Sequence, residues 1–359
     1  MDSDYYHSNY SDDYLDYEFY DDIINNSEIV RKDSSDDMRS IARILSVVIY
    51  TAVCLLGILG NGLVIVIITF KMKKSVNAIW FLNLAVADFL FNIFLPITIA
   101  YTAMDYNWVF GIAMCKLNSF LLIVNMYTSI FLLTTISVDR CISVVFPVWS
   151  QNHRTNKLAC FICVIVWALG FLMSSPSLVF RDIRSQHSKV ICFSNYSLSP
   201  SHLPLGKMRH ATVNITRFLF AFLIPMTVIT VCYIIILFRL KRNRLAKSKK
   251  PFKIIVAIIV IFFLCWSPYH ILHLLETQHH SVPTSIFPVG IPIVTAIAVS
   301  NSCMNPVLYV FMGQDFKKFK VTILSRLVNA LSEDTTHSNF THRSFSKVSS
   351  MTEKETILL

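Results

Sequence analysis

Several polar side chains lie inside long apolar stretches of this sequence, where an ionisable group is costly to bury. The set consists of Asp88, Asn125, Ser129, Asn301, Ser302 and Asn305. Asp88 lies in the middle of LNLAVADFL, while Asn125 and Ser129 are four residues apart and therefore share one helix face. A carboxylate surrounded by neutral oxygens can coordinate a small hard cation such as Na⁺. The alternative is a hydrogen-bonded polar plug that holds helices together.

A second polar pair, Asp139 and Arg140, ends an apolar stretch in the string DRC. At a membrane boundary, such a pair can be a plain interfacial salt bridge. Four prolines inside the apolar stretches remove backbone hydrogen bonds and kink helices. They are Pro96, Pro225, Pro268 and Pro306. Because Trp266 and Tyr309 lie beside two of these prolines, the kinks are interpreted either as static bends or as hinges of a rearrangement.

Membrane-spanning helices must position these residues. Hydrophobic residues make up 54% of the 359 and charged residues 15%, whereas a soluble domain carries about 25% charge. A helix needs about 20 mainly apolar residues to cross a membrane. Seven stretches meet this requirement, at about 41–70, 77–103, 113–145, 157–179, 211–240, 251–275 and 285–311. The sequence therefore predicts an all-α membrane protein with a seven-transmembrane helix bundle over residues 41–311.

The positions of the basic residues predict the orientation of this bundle. The formal net charge of +10 could suggest nucleic acid, but the basic residues cluster in short loops, as in KMKKS and RLKRNRLAKSKK. Such loops mark the cytoplasmic side, so we expect an extracellular N-terminus, a cytoplasmic C-terminus and a location in the plasma membrane. Sequons on the expected outer side predict glycosylation at Asn9, Asn25 and Asn195. Those at Asn214 and Asn339 fall within a span and in the cytoplasm, so they are discounted.

Two segments expected on the outer side carry charges of opposite sign. Residues 1–40 carry twelve acidic and three basic residues, which predicts an extracellular, acidic and disordered N-terminus. No basic segment followed by an apolar core opens the chain, so the first span is expected to act as its own insertion signal. The external segment at about 180–210 instead carries an excess of base: Arg181, Arg184, Lys189, Lys207 and Arg209 against Asp182. Topology does not explain that excess, and we expect the reason to be a ligand.

The spans carry motifs in a fixed order: Asn61 in GILGNGLV, LAVAD ending in Asp88, Trp108, Cys115, Asp139-Arg140-Cys141, Trp167, Pro225, Cys265-Trp266-Ser267-Pro268 and Asn305-Pro306-Val307-Leu308-Tyr309. Over about 41–327 the chain resembles rhodopsin-like G-protein-coupled receptors. The resemblance implies a sodium site lined by Asp88, Asn125, Ser129, Asn301 and Asn305, with no other cofactor. It implies an activation switch made of Asp139, Arg140, Tyr233, Trp266, Pro268, Asn305, Pro306 and Tyr309. It also implies a disulfide between Cys115 and Cys192.

A narrower resemblance rests on the strings FLNLAVADFLFN, AMDYNWVFG, SSPSLVFRD, NRLAKSKKPFKIIV and MGQDFKKFK. These are similar to the chemoattractant branch and, within it, to chemerin-type (chemokine-like) receptors. Chemokine receptors proper usually have a second external disulfide, and this chain has no cysteine in residues 1–53 or 270–302. The resemblance implies a chemerin-like peptide ligand, a Gi-class G protein, and regulation by arrestin and receptor kinases. The alternative is a receptor for another chemoattractant peptide or for an anionic lipid mediator.

The C-terminal end of a peptide ligand enters the bundle in chemerin-type receptors, and a carboxylate is best held there by arginine. Arg217 and Arg181 are the predicted anion anchors, although Arg217 could instead snorkel to the membrane interface. Glu276, ten residues beyond Trp266, either takes a cationic or N–H group of the ligand or is an exposed carboxylate at a helix end. The candidate apolar wall, unless these aromatic residues are ordinary core, consists of Tyr50, Tyr101, Phe180 and Trp266.

The remaining predictions concern the ends of the chain and the class of protein. Residues 312–327 combine apolar side chains with basic partners on a helical stretch, which predicts a short amphipathic eighth helix on the membrane surface. Residues 328–359 are a cytoplasmic tail rich in serine and threonine, suited to phosphorylation and arrestin binding. In the N-terminus, tyrosines beside aspartate resemble sulfation sites: Tyr14, Tyr17 and Tyr20. We find no pairing of a nucleophile with a base and no His/Cys cluster in the sequence, so we do not expect an enzyme. We also find no inverted repeat of the kind that is typical of transporters.

Overall fold

The computed structural model of the protein describes residues 29–72, 74–186, 188–198, 203–242, 250–277 and 286–312. The regular elements in chain order are α1 (Ile29–Phe70), α2 (Val76–Ala103), α3 (Gly111–Val145), α4 (Pro147–His153), α5 (Asn156–Ser174), α6 (Pro176–Phe180), β1 (Arg181–Gln186), β2 (Lys189–Ser194), α7 (Leu203–Phe218), a π-helical turn (Leu219–Leu223), α8 (Ile224–Arg242), α9 (Lys250–Glu276) and α10 (Phe287–Met312).

Seven helical segments are long and apolar enough to cross a membrane. They are Asp37–Phe70, Val76–Ala103, Gly111–Val145, Asn156–Phe180, Leu205–Arg239, Ile259–Glu276 and Phe287–Pro306. Large apolar side chains on the outside of the bundle remain accessible, such as Leu59 and Phe238 at 71% each, as expected for a surface that faces lipid. The predicted seven-transmembrane fold is therefore confirmed. The predicted eighth helix at 312–327 and the tail at 328–359 lie outside the described residues.

The first helix is longer than predicted, because α1 begins at Ile29 rather than at residue 41. Residues 29–40 contain neither proline nor glycine, so nothing in the backbone ends the helix at the membrane boundary. The expectation of a disordered segment over 1–40 was thus wrong for residues 29–40. Residues 1–28, with Asn9, Asn25 and the tyrosines considered for sulfation, lie outside the described residues.

Prolines divide two of the membrane spans. In the fourth span α5 ends at Ser174, and Pro176 begins the short helix α6. Proline is tolerated at the start of a helix, because the N–H groups there have no partner within the helix. In the fifth span the π-helical turn Leu219–Leu223 separates α7 from α8, directly before Pro225. The turn ends two residues before Pro225, the proline at which the sequence predicted a kink. A further proline, Pro292, lies inside α10 and was not singled out from the sequence.

A β-hairpin connects α6 to the start of the fifth span, and the sequence did not predict it. Strands β1 and β2 pair antiparallel, with Ile183 opposite Cys192. The disulfide between Cys115 and Cys192 fixes β2 to the start of α3, with a Cα–Cα distance of 5.8 Å. The backbone N–H of Trp108 donates to the Val190 carbonyl oxygen at 2.6 Å. We call this side of the bundle the hairpin end and the opposite side, which carries Asp139 and Arg140, the Asp–Arg end.

The loop between α2 and α3 packs against the hairpin. Asp105 and Tyr106 both have positive φ, and so does Gly111 at φ 75°, where glycine avoids the strain that a side chain would bring. The Trp108 indole N–H donates to the Gly111 carbonyl oxygen at 2.8 Å. Around the disulfide, Trp108 packs with Tyr101 in a small buried cluster. This cluster holds the hairpin over one side of a cavity.

Candidate functional site

The cavity opens at the hairpin end and reaches into the bundle. It holds about 1440 Å³ of open space, its mouth included, and is lined by residues of α1, α2, α3, α6, α7, α9, α10 and the hairpin. The predicted residues Tyr50, Tyr101, Phe180, Arg181 and Arg217 all contribute to its lining. Because seven helices contribute to its lining, a small movement of any one of them changes the shape of the cavity.

One wall of the cavity carries basic and polar side chains. His210, Asn214 and Arg217 lie on one face of α7, since they follow one another by four and three residues. His273 of α9 and Arg181 at the start of β1 also line the cavity. None of the described residues that line the cavity is an aspartate or a glutamate. Two fixed positive charges without a lining carboxylate make the cavity suited to an anion.

Arg217 points into the bundle. Its Nη1 donates to the Tyr269 hydroxyl at 3.2 Å, and the side chain is part of the cavity lining. The alternative that Arg217 snorkels to the membrane interface is therefore not what the structure shows. Tyr269 in turn meets the Trp266 ring edge-on, with 5.4 Å between the ring centroids. Through Tyr269, a ligand at Arg217 is one side chain away from Trp266.

Arg181 is available to the cavity because the neighbouring carboxylate is engaged elsewhere. Asp182 accepts from the backbone N–H of Ile183 at 2.9 Å and from Asn195 Nδ2 at 3.2 Å. The ion pairs found within the described part of the chain do not include Arg181. Arg181 and Arg217 therefore line the cavity from different elements, β1 and α7.

Glu276 and Trp266 were predicted to contact ligand, and neither lies in the cavity lining. Glu276 is only 3% exposed, and its Oε2 lies 2.8 Å from Nδ1 of His273. It is thus a buried partner of His273 rather than an exposed carboxylate, because the two residues share a face of α9 three residues apart. Trp266 is 1% exposed and lies deeper in the bundle, beneath Tyr269.

The aromatic wall is built from contacts between rings. Tyr101 packs edge-on against Trp108 with 5.1 Å between centroids, and Phe180 packs on Tyr196 at the same centroid distance. Tyr196 also lies 4.9 Å from the ring of His210. These contacts make Tyr101 and Phe180 both part of the cavity and part of its support, so the two interpretations of the aromatic residues hold together.

Sequence reasoning missed several residues that line the cavity: Asn118, Tyr196, His210, Asn214, Tyr269 and His273. Helical spacing carried a signal for most of them. His210 and Asn214 precede the predicted Arg217 at helical spacing, while Tyr269 and His273 follow Trp266 by three and seven residues. Asn214 Nδ2 lies 2.9 Å from His210 Nε2, so this asparagine orients a cavity histidine.

In the middle of the bundle Asp88 is fully buried and accepts hydrogen bonds from two other helices. Asn125 Nδ2 of α3 lies 2.8 Å from Asp88 Oδ1, and Asn305 Nδ2 of α10 lies 2.7 Å from Oδ2. Ser129 Oγ lies 3.5 Å from Oδ1. Asn301, also predicted for this site, is buried with 3% of its surface exposed. It does not form a hydrogen bond with the Asp88 carboxylate, whose donors among the described residues are Asn125, Ser129 and Asn305.

These residues fit a small hard cation. A single buried carboxylate is the negative charge, and rotation of the Asn125 and Asn305 amides would turn their oxygens toward the same space. Ser129 supplies a hydroxyl oxygen nearby. Carboxylate, amide and hydroxyl oxygens are the donors that such ions prefer. The same geometry is also a complete polar plug without an ion, because each Asp88 oxygen already has a donor.

At the Asp–Arg end, Asp139 pairs with a residue that the sequence did not point to. Its Oδ1 lies 2.7 Å from Arg154 Nε and its Oδ2 2.9 Å from Arg154 Nη2, so the pair is bidentate. Arg140 instead donates to Asn77 Oδ1. An ion pair between the adjacent Asp139 and Arg140 is therefore not present, since Arg154 occupies the carboxylate. Tyr233 lies close enough to Arg140 for their charges to interact.

The other predicted switch residues are distributed along α9 and α10. Pro268 lies inside α9 and Pro306 inside α10. Asn305, with its bond to Asp88, links α10 to α2. The side chain of Tyr309 lies outside the described residues. Among the predicted glycosylation sites, Asn195 is described, and its side chain is engaged twice: Nδ2 donates to Asp182 and Oδ1 accepts from the N–H of Leu198.

An ion cluster joins the hairpin end to two other elements. Asp105 receives Arg43 of α1 at 2.6 Å and also pairs with Lys189 of β2. Partial burial raises the pKa of Asp105, but the hydrogen bond from Lys189 and the charges of Lys189 and Arg43 outweigh it. The pKa of this carboxyl therefore lies below its ordinary value, and Asp105 stays ionised at neutral pH.

Comparison with known proteins gives a consistent family. Residues 60–309 match the model of the 7 transmembrane receptor (rhodopsin family). Chemerin-like receptor 1 of Sus scrofa is 60% identical over 370 residues, covering 100% of both chains. Chemerin-like receptor 1 of Homo sapiens is 60% identical over 350 residues, which are 94% of this chain and 92% of the relative. The C3a anaphylatoxin chemotactic receptor of Oncorhynchus mykiss is 38% identical over 342 residues, 94% and 92% of the two chains.

Proposed function

This chain belongs to the rhodopsin family of seven-transmembrane receptors and is of the chemerin-receptor type, and we propose that its ligand is the carboxyl-terminal end of a chemerin-like peptide or protein. Bound ligand activates an inhibitory (Gi-class) G protein. The protein is a receptor and not an enzyme. Its seven membrane spans imply a location in the plasma membrane.

The observation that carries this proposal is the charge of the cavity. Arg181 and Arg217 enter it from the hairpin and from α7, and no described lining residue is a carboxylate. A peptide carboxylate that leaves water needs a desolvated, hydrogen-bonding cation, and the planar guanidinium matches both of its oxygens. The aromatic wall with Tyr101 and Phe180 supplies apolar area for the side chains that precede the carboxylate.

The route from ligand to signal runs through Tyr269. Arg217 holds the Tyr269 hydroxyl, and the Tyr269 ring packs on Trp266. A ligand that draws Arg217 toward its carboxylate changes this hydrogen bond and so changes the packing on Trp266. Pro268, two residues from Trp266, removes one backbone hydrogen bond from α9 close to this tryptophan. The ligand then shifts the population between inactive and active arrangements of the bundle by the difference in its affinity for them.

The orientation follows from charge. The basic loops and the Asp–Arg end face the cytoplasm, and the cavity with the hairpin faces outward. The G protein, arrestin and receptor kinases act at the Asp–Arg end. The serine- and threonine-rich segment at 328–359 is the proposed kinase substrate. In the same proposal, Na⁺ is an allosteric ion held by Asp88 with oxygens of Asn125, Ser129 and Asn305, where it would stabilise the arrangement with low ligand affinity.

Inhibition of cAMP production in cells tests the ligand and the G protein together. We expect a peptide from the C-terminal end of chemerin to inhibit cAMP formation through the wild-type receptor. The response is expected to fall by about 100-fold in potency for Arg217→Ala, because a buried charge-assisted bond is lost. The same loss is expected when the peptide carboxylate is amidated.

Arg209→Ala is the matched control. Arg209 also lies on α7, but its Nη1 donates to the Tyr196 carbonyl oxygen at 3.2 Å and it does not line the cavity. With equal surface expression, a normal response in this variant shows that loss of a positive charge on α7 is not sufficient. No response from well-expressed wild type would overturn the chemerin assignment. Screening of other chemoattractant peptides and of anionic lipid mediators would then decide the ligand.

A further inference from the structure

Asn77, at the start of α2, accepts hydrogen bonds from two arginines at the Asp–Arg end. Its Oδ1 receives Arg140 of α3 and Arg154, the residue that follows α4. Asn77 is the second residue of α2, and Ser75 caps the helix start with its hydroxyl, which accepts from the N–H of Ala78 at 3.3 Å. The asparagine therefore sits on a fixed helix end, and not on a loose loop.

Asp139 cannot hold Arg140 in this arrangement. Both of its oxygens accept from the guanidinium of Arg154, at 2.7 and 2.9 Å. Arg154 itself is positioned because its backbone N–H donates to the Ser150 carbonyl oxygen, and Ser150 Oγ lies 3.1 Å from Ser143 Oγ of α3. Among the side chains that the structure describes, Asn77 is the one that forms a hydrogen bond with Arg140.

The sixth span offers no acidic alternative. Between Arg239, at the end of the fifth span, and Glu276 the sequence contains no aspartate or glutamate. Glu276 itself ends α9 at the hairpin end, on the far side of the bundle from Arg140. A carboxylate from the Asp–Arg end of α9 therefore cannot pair with Arg140. The acceptor that the structure shows for Arg140 is the neutral side chain of Asn77 on α2.

We propose that Asn77 is a positioning residue that holds Arg140 against α2 until the receptor is activated. Arg154 has the complementary role, because it occupies Asp139 and so leaves Asn77 as the acceptor of Arg140. The inference rests on the proposed coupling to a G protein. It adds to that proposal a device that sets the basal activity of the unliganded receptor.

The test compares four variants in purified form without ligand: Asn77→Ala, Asn77→Asp, Ser75→Ala and Asn77→Ala combined with Arg154→Ala. Nucleotide exchange is measured on Gi-, Gs- and Gq-class G proteins, so that a wrong class appears as a response elsewhere. We expect Asn77→Ala to raise basal exchange by about tenfold or more, the effect of losing one hydrogen bond to a charged group.

The other variants separate this role from a defect of the helix end. Asn77→Asp replaces the neutral acceptor by a carboxylate, so basal exchange is expected to fall below that of wild type. Ser75→Ala removes the cap of the same helix without touching Arg140, and its exchange is expected to match wild type. In the double variant, the released Asp139 can accept Arg140, and exchange is expected to return toward the wild-type rate.

A second readout does not depend on any G protein. Deuterium uptake of peptides over 136–156 is expected to be higher in Asn77→Ala than in Ser75→Ala, because the hydrogen bonds of Arg140 and Arg154 to Asn77 are lost in the former alone. Exchange that is unchanged or lower in Asn77→Ala, or raised equally in Ser75→Ala, would overturn the inference. If no G-protein class responds to any variant, the coupling proposal fails and the deuterium uptake alone decides the role of Asn77.

Discussion

Asp88 is a carboxylate buried in the middle of the bundle, where its charge is costly to desolvate and where it connects several helices. It is fully buried, and each of its oxygens accepts from an amide of a different helix, Asn125 of α3 and Asn305 of α10. Asn92 extends this contact, because its Nδ2 donates to the Asp88 carbonyl oxygen at 2.7 Å and to Ser302 Oγ at 3.2 Å. Movement of α10 against α2 and α3 must therefore rearrange the hydrogen-bond donors around Asp88.

The charge of Asp88 gives a direct prediction about sodium. Asp88→Asn keeps the size of the side chain but removes the negative charge that a cation needs. We expect sodium to lower the affinity of wild type for agonist by about fivefold or more, a usual coupling between two sites, and to have no effect on Asp88→Asn. The measurement is agonist binding to membranes in sodium chloride and in potassium chloride of equal ionic strength. A sodium effect of equal size in both proteins would contradict the proposed ion site.

The sequence predicted the residues that are expensive to bury and missed those that are not. Asp88 and Arg217 stand out because a charge in an apolar stretch needs a reason. Asn214 and His273 are neutral polar residues, which a helix bundle tolerates, so their place in the cavity depends on which face of the helix turns inward. Glu276 was found, but its partner His273 was not, and without that partner its burial could not be predicted.

At the scale of elements, the β-hairpin depends on contacts that are distant in sequence. Its register places Cys192 opposite Ile183, where the disulfide to α3 holds it. The backbone bond from Trp108 to Val190 adds a second attachment. The strands have six residues each, β1 is mostly polar, and β2 has a short apolar run at 190–193, so neither shows the alternation that predicts a strand. The helices, by contrast, follow from their own apolar length, which is why the sequence predicted all seven spans.

The ion cluster at Asp105 connects α1, the α2–α3 loop and β2, and its contribution should depend on pH. The pKa of Asp105 is lowered in the folded protein. Its stabilising effect is therefore fully present above the pKa of the unfolded chain, about 4, and is lost as the pH falls through the lower pKa of the folded protein. Asn suits the positive φ of this position, so Asp105→Asn removes the charge and leaves the backbone intact.

We expect Asp105→Asn to lower the midpoint of thermal unfolding by about 1–3 °C at neutral pH, a small effect because the ion pairs are half-exposed. The difference from wild type should begin to shrink as the pH falls below about 4 and vanish below the lower pKa of the folded protein. Unfolding of the detergent-solubilised receptors, followed over this pH range, measures it. A difference of constant size at all pH values would show that Asp105 acts through its shape or hydrogen bonding and not through its charge.

At the scale of the whole molecule, the N-terminal sequence and the cavity carry opposite charges. Residues 1–28 contain nine acidic residues and no lysine or arginine, whereas Arg181 and Arg217 line the cavity. A protein ligand with a basic body and a free carboxylate at its end matches these two charges. The N-terminus would act first, by steering the body of the ligand, and the cavity would then hold the end.

Steering and holding can be separated by kinetics. In a variant with the aspartates and glutamates of residues 1–28 replaced by asparagine and glutamine, the length of the segment is kept and its charge is lost. We expect association of a full-length, basic-bodied ligand to slow by about tenfold at low ionic strength, with little change in dissociation, because attraction at a distance acts on encounter. The difference should shrink as salt is added. A short peptide that carries only the C-terminal end should associate equally with both receptors. A faster dissociation of the full-length ligand, at an unchanged association rate, would instead place these acidic residues in the bound interface.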